Sequence, residues 1–244
     1  MITNEQSRTR IDEVQAGIYR ISTPLFGVEG GFSFNQYLVV DDEPVLFHTG
    51  PRGMFALTAD AIGNVLPVEK LRYVGFSHYE NDECGALNAF LDKAPHAQPL
   101  CGTINAMING DAFDRAPRVL SDGESLGIGQ RTLVWFDAPH LPHAWECGYL
   151  FEKESATLFC GDLFTQGGAE HPAVTTDDIL ESSEAMRKGL DYYAHAPNGG
   201  ALLDKLLACR PALLACMHGS AYRGDGAALL LALKGRLRPA IVPA

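Results

Sequence analysis

The sequence predicts an α/β fold in which two β-sheets pack face to face with helices on the outside. Two β-rich stretches, over about 17–47 and 118–160, each give way to segments with helical spacing of apolar residues. Residues with metal-binding chemistry also recur at or just beyond the ends of apolar, strand-like runs, where layered α/β proteins place their sites. No internal repeat, low-complexity tract or linker interrupts the 244 residues, so a single domain over 1–244 is the simplest organisation.

Taken in order, Gly17 to Thr23 reads as a strand. Phe34 to Val40 and Pro44 to Phe47 flank an Asp41-Asp42-Glu43 turn and read as a hairpin. Met54, Leu57, Ile62 and Val65 recur at helical spacing within 53–66, ahead of Pro67. Leu71 to Phe76 is an apolar strand, followed by a helix over Gly85 to Lys93 that ends near Pro95 and a short helix over Thr103 to Asn109. The second β-rich stretch carries a hairpin signal at Gly127-Ile128-Gly129-Gln130. A charged turn, Glu152 to Ser155, separates the runs Trp145–Phe151 and Ala156–Phe159. Helices follow over 177–191 and 199–209, then a strand over Leu213 to Met217 and a last helix over 225–237.

Composition narrows the function classes. With 46% hydrophobic and 20% charged residues, the chain has the material for a sizeable core. A net charge of -11 argues against nucleic acid or an anionic membrane as partner, because phosphate binding relies on Lys and Arg. No apolar run approaches the roughly 20 residues needed to span a bilayer, and the first residues lack a basic-then-apolar signal pattern, so a cytoplasmic location is expected. The six cysteines show no CxxC spacing and read as reduced core thiols.

The informative segment is Phe76-Ser77-His78-Tyr79-Glu80-Asn81-Asp82-Glu83-Cys84-Gly85. If the backbone stays extended past the preceding strand, His78, Glu80 and Asp82 alternate onto one side, as three convergent ligands would. Further candidates stand after other apolar runs: His140 and His143 after 131–136, Asp162 after 156–161, and His218 after 211–217. His48, His96, His171 and His195 read as supporting or surface histidines. Glu83 fits a site role and a helix cap equally well. Tyr79, Phe26, Phe32, Trp145 and Tyr222 serve either as pocket walls or as ordinary packing.

The ordered set H-x-E-x-D, a His, an Asp nineteen residues later and a final His-Gly resembles the metallo-β-lactamase superfamily. Within it, the first motif is similar to that of the flavodiiron and oxygen-binding di-iron branch, and Asn35-Gln36-Tyr37-Leu38 and Thr49-Gly50 resemble the early strand and the turn after the second strand. The resemblance implies a four-layer αββα sandwich with two metal ions. His78, Glu80 and His143 would hold one, Asp82 and His218 the other, and Asp162 would bridge. His143 is preferred to His140 because its separation from Asp162 matches the family. Three departures stand out: His48 replaces an acidic residue before the Thr-Gly turn, Glu83 occupies a position that is His in many relatives, and no flavodoxin-like segment follows the last helix.

Three carboxylates among six ligands make a hard, anionic site that leans to two iron ions, with zinc or manganese as the alternatives. The resulting expectation is a non-haem di-iron oxidoreductase that binds or reduces dioxygen, or a related small oxidant, with electrons from an external donor protein. A binuclear metallohydrolase acting on an ester, thioester, lactone or phosphodiester through a metal-bridging hydroxide is the rival, with Glu83 or Tyr222 assisting catalysis. Two further readings are a non-catalytic oxygen sensor and a binding module with a degenerate metal site. Analogy alone points to a homodimer.

Overall fold

The computed structural model describes residues 1–237; residues 238–244 of the expected single domain lie outside the described residues. Strands and helices are numbered in chain order. The first sheet contains β1 (Ile2–Asn4), β2 (Thr9–Gln15), β3 (Ile18–Leu25), β4 (Phe32–Val39), β5 (Val45–Phe47), β6 (Tyr73–Gly75), β7 (Gln98–Gly102) and β8 (Arg118–Leu120), side by side in sequence order. Neighbours from β1 to β5 are antiparallel, and those from β5 to β8 are parallel. The second sheet contains β9 (Ser125–Gly127), β10 (Thr132–Asp137), β11 (Gly148–Glu152), β12 (Thr157–Phe159), β13 (Val174–Thr175), β14 (Leu213–Ala215) and β15 (Ala221–Arg223). Its spatial order is β13-β15-β14-β12-β11-β10-β9, with β12 and β14 parallel.

Strand periodicity sorts the apolar side chains into three layers. On β5, Val45 and Phe47 enter the cluster between the sheets while Leu46 turns to the opposite face; on β14, Leu213 and Ala215 face inward and Leu214 outward. Trp135, the largest fully buried side chain, belongs to this inter-sheet layer with Tyr37, Leu150 and Phe159. The outer face of the first sheet is covered by α1 (Phe55–Gly63) and α3 (Leu87–Lys93), which contribute Ile62, Leu87 and Phe90; α2 (Asn81–Cys84) adds Cys84 and α4 (Thr103–Asn109) adds Ala106 at the margin. The outer face of the second sheet is covered by α5 (Leu180–Leu190), α6 (Gly199–Ala208) and α7 (Gly226–Leu237), through Leu180, Leu203, Leu206, Leu230 and Leu233. Three apolar layers between four structural layers give the helix-sheet-sheet-helix order, each large buried side chain contributing about 1.5–3 kcal/mol. All six cysteines are free thiols. Among the described residues, no helix is long and apolar enough to cross a membrane.

Three departures from the sequence-based reading matter most. The strands Thr9–Gln15 and Gln98–Gly102 were not expected. The first, TRIDEVQ, alternates only weakly, and Pro99 interrupts the second. More consequentially, the backbone does not stay extended from Phe76 to Asp82. The strand ends at Gly75, and Asn81–Cys84 forms a helical turn, with Cys84 N–H donating to the Glu80 carbonyl at 2.9 Å and Gly85 N–H to that of Asn81 at 2.8 Å. Glu80 keeps extended dihedrals just ahead of that turn. The helical turn therefore delivers Asp82, in place of continued strand alternation, and it carries Glu83 inward as well.

Candidate metal centre

The site forms where the carboxyl ends of parallel strands from both sheets meet. His48 follows β5, His78 follows β6, Asp162 follows β12 and His218 follows β14. His143 enters from the loop between β10 and β11. The resulting side chains fall into two groups. His78, Glu80, His143 and Asp162 offer ligand atoms that all lie within 4.8 Å of one another, and so do Asp82, Glu83 and His218.

Asp162 links the groups. Its Oδ2 lies 3.3 Å from His143 Nε2 and 3.6 Å from His78 Nε2, while its Oδ1 lies 3.2 Å from His218 Nε2. In the first group, Glu80 Oε2 stands 2.9 Å from His78 Nε2 and 3.2 Å from His143 Nε2, and the two Nε2 atoms are 2.9 Å apart. In the second, Asp82 Oδ2 is 3.5 Å from His218 Nε2.

The surrounding residues decide which nitrogen each imidazole presents. A carbonyl oxygen only accepts, so His143 must donate Nδ1–H to the Tyr192 carbonyl (3.0 Å), and His218 must donate Nδ1–H to the Ser33 carbonyl (2.8 Å). In the neutral rings both Nε2 lone pairs then face carboxylate oxygens. His78 Nδ1 lies 3.0 Å from Ser77 Oγ, which lies 3.1 Å from His48 Nε2, and Ser77 N–H donates to that same His48 nitrogen at 3.3 Å. When the Ser77 hydroxyl also donates to His48, its oxygen accepts Nδ1–H of His78, and the third Nε2 lone pair joins the cluster. Burial drives the His48 pKa down to about 3, which keeps that ring neutral and accepting. His48 thus meets Ser77 where an acidic residue was expected, and it holds φ at +65°, uncommon for a side chain of its size.

Lone pairs converging on carboxylates repel unless a cation lies among them, and this is the test the residues pass for metal ions. The titration pattern agrees. Burial pulls the His143 and His218 pKa values down, but contacts with Glu80 and Asp162 outweigh it and leave both raised. Hydrogen bonds from His143 and His78 hold Glu80 at about 2. Burial pushes Asp162 up, yet the His218 hydrogen bond and the three imidazoles leave it lowered.

The remaining candidates separate cleanly. His140 and His195 are exposed, and His171 contacts the Gly168 carbonyl, away from the cluster. Tyr222 lies on β15 and packs with the helical side of the second sheet, its hydroxyl beside Gly224. Phe32 stacks on His218 with ring centroids 4.3 Å apart, whereas Phe26 and Trp145 are largely exposed.

Several residues escaped the sequence reading. Tyr192 supplies the carbonyl that orients His143 and donates its hydroxyl to the Asp162 carbonyl at 3.1 Å. Ser33 and Ser77 orient His218 and His78. Only Ser77 carried a signal, its adjacency to His78. The Asn35-x-Tyr37 pair has a physical role: Asn35 Nδ2 donates to the Cys216 and Gly219 carbonyls (2.9 and 2.8 Å) and Tyr37 Oη to Cys216 (2.8 Å), clamping the backbone around His218 from the opposite sheet. The buried Arg20 guanidinium adds a bond of 2.7 Å to the Gly219 carbonyl. Thr49 N–H donates to the Glu83 carbonyl at 2.8 Å and anchors the helical turn that carries Asp82.

Comparison with known proteins now decides the family. A family model described as "ODP family beta lactamase" matches residues 32–203. The chain belongs to this family. The match contains His78, Glu80, Asp82, His143 and Asp162, and His218 lies beyond it. Among curated relatives, a nitric oxide reductase of Moorella thermoacetica is 28% identical over 70% of this chain and 43% of its own length. A rubredoxin-oxygen oxidoreductase of Megalodesulfovibrio gigas is 26% identical over 80% of this chain and 50% of its own length. The chain therefore spans half or less of these relatives. A solved flavo di-iron protein variant from Thermotoga maritima superimposes with a TM-score of 0.81 at 18% identity, covering 94% of this chain and 61% of that one. The ODP-family chain has the metallo-β-lactamase-like αββα fold, with the sequence relatives lying on the flavodiiron side of that fold.

Proposed function

We propose that this chain is the core of a non-haem di-iron oxidoreductase that binds and reduces a small oxidant, dioxygen or nitric oxide, with electrons from an external protein. The observation that carries the reading is Asp162, whose two oxygens face two separate ligand groups, as a carboxylate shared between two cations would. His78, Glu80 and His143 would hold one ion, Asp82 and His218 the other, with Asp162 between them. The names of the sequence relatives, a nitric oxide reductase and a rubredoxin-oxygen oxidoreductase, support the choice of oxidant.

Iron, when bound, supplies the one-electron redox chemistry and open coordination positions for a diatomic ligand. The protein's own residues prepare for it. Tyr192, Ser33 and Ser77 fix which nitrogen each histidine presents, so that binding requires no tautomer change. His78, Asp162 and His218 are nearly sealed from solvent, while the side chains of Glu80 and His143 are 54% and 26% exposed. Access for a small molecule therefore runs past Glu80, which also lines a cavity of about 750 Å³ with Arg52, Tyr79, Asn81 and Asp114. Phe32, stacked on the His218 ring, covers one face of that imidazole.

The test is metal analysis of the reconstituted protein joined to anaerobic and aerobic optical difference spectra, followed by oxidant consumption with a chemical reductant. Two iron ions per chain, a charge-transfer band bleached by dithionite and turnover of dioxygen or nitric oxide are expected. Reversible oxygen binding without turnover would instead identify a sensor. Colourless protein holding zinc or manganese and cleaving a chromogenic ester would overturn the proposal in favour of a hydrolase.

A further inference from the structure

Glu83 stands apart from every other buried acid near the site. Its side chain is 0% exposed, and neither carboxylate oxygen has a hydrogen-bond partner. It is not held there as a helix cap, since no side-chain cap hydrogen bond closes the turn Asn81–Cys84. Its backbone is separately secured, because the Glu83 carbonyl accepts Thr49 N–H at 2.8 Å, so the buried carboxylate is not needed to position the chain. The carboxylate faces Asp82 and His218, grouped with it, and its Oε2 lies 3.9 Å from His78 Nε2. A buried carboxylate with no donor is among the costliest arrangements in a protein interior, and a cation or a proton must compensate it.

We propose that Glu83 is a direct ligand of the second cation, beside Asp82 and His218, which makes that half of the centre carboxylate-rich. This rests on the two-metal reading above and adds a seventh protein ligand to it. The two halves then differ in kind. The first position is served by two imidazoles with Glu80 and the shared Asp162; the second by one imidazole with Asp82, Glu83 and Asp162. Four carboxylates balance two divalent cations outright, so the second position becomes the harder of the two and favours oxygen-loving ions. In a chain that carries His at this point the second position would be one negative charge poorer.

The experiment titrates the full-length, metal-stripped protein with Mn²⁺ alone, and anaerobically with Fe²⁺ alone, comparing wild type with Glu83→Gln and Glu83→Ala. Calorimetry gives the two affinities, electron paramagnetic resonance reports the coupling between paired Mn²⁺ ions, and thermal melting follows each metal-free protein. The wild type should take two ions. Both variants should weaken the second ion at least tenfold, leave the first within twofold, and lose the coupled Mn²⁺ signal at matched loading. The metal-free melting temperature of Glu83→Gln should hold or rise, because the carboxylate oxygens have no hydrogen-bond partner to lose. Glu83→His should recover part of the second-ion affinity by supplying a nitrogen donor. Two ions bound by Glu83→Gln and Glu83→Ala with wild-type affinities would overturn the assignment while leaving the two-metal centre intact. A metal-free melting temperature that falls would also overturn it, by revealing a structural role. A wild type that takes fewer than two of either ion would overturn the two-metal reading itself, a result distinct from failure of Glu83.

Discussion

Glu152 on β11 and Glu83 on α2 are both fully withdrawn from solvent, yet their carboxylates face opposite company. Glu152 accepts from Arg131 at 2.9 Å and from the Ser155 backbone N–H at 2.9 Å, and the Ser155 hydroxyl also donates to it. Its charge is answered by groups that the chain itself carries. Glu83 faces carboxylates and imidazoles and accepts nothing. The same contrast separates Glu184, which receives two bonds of 2.7 Å from Arg187, from Asp162, whose neighbours are three histidines. A closed ion pair holds architecture together. An acid left open to other acids and to lone pairs marks the place where a cation from outside completes the structure.

The contrast is open to attack by substitution, and the largest effect should come from the shared acid. Asp162→Ala should drop bound metal from two ions to fewer than one per chain after reconstitution, as read by elemental analysis; a variant that retains both ions would break the contrast at its centre. Glu152→Ala should destabilise the metal-free protein by about 3 kcal/mol in urea denaturation, the cost of leaving one partner of a buried pair unanswered. No change there would mean that the closed pair does no structural work. His218→Ala should lose one ion preferentially, and two ions retained would reject its place in the second group. Glu80→His should move the preference from iron toward zinc in competitive loading, because it removes one negative charge and adds a nitrogen donor. Unchanged iron occupancy would count against the charge argument.

The smallest expected effect concerns pH. The hydrogen bonds from Arg187 hold the Glu184 carboxyl below its ordinary value of 4.5. A carboxylate with a depressed pKa in the folded state stabilises the protein above the unfolded value, and that contribution fades as pH falls. Glu184→Gln should therefore lower stability at pH 7, with the difference from wild type shrinking below about pH 4.5 in denaturation curves. A difference that stays constant down to pH 2 would show that packing, and not the ion pair, is at work.

Much of this centre was legible because the chemistry is carried by residue types that are conspicuous at strand ends. His78, Glu80, Asp82, His143, Asp162 and His218 all reach the cluster. The path by which Asp82 arrives was not legible. The strand stops at Gly75 and the chain bends over 77–79 to present His78 and Glu80, and a turn of helix over Asn81–Cys84 carries Asp82 and Glu83 inward as neighbours. Tyr192 and Ser33 left no trace in the chain because each orients its histidine through a backbone carbonyl, which every residue possesses. Tyr222 read as a pocket wall or a helper in hydrolysis, yet its strand runs antiparallel to β14, and its ring packs on the helical side of the second sheet.

Periodicity and residue type, read along the chain, determined the two-sheet architecture, the apolar layers and a short list of candidate ligands at strand ends, because alternation and side-chain chemistry are local properties; the choice of His143 over His140 came from the family resemblance. Tertiary structure alone decided which nitrogen each imidazole presents, that His48 leans on Ser77, and that the Glu83 carboxylate is buried with no donor. Those are relations between atoms far apart in sequence. They exist only once the strand ends of both sheets have been brought to one place.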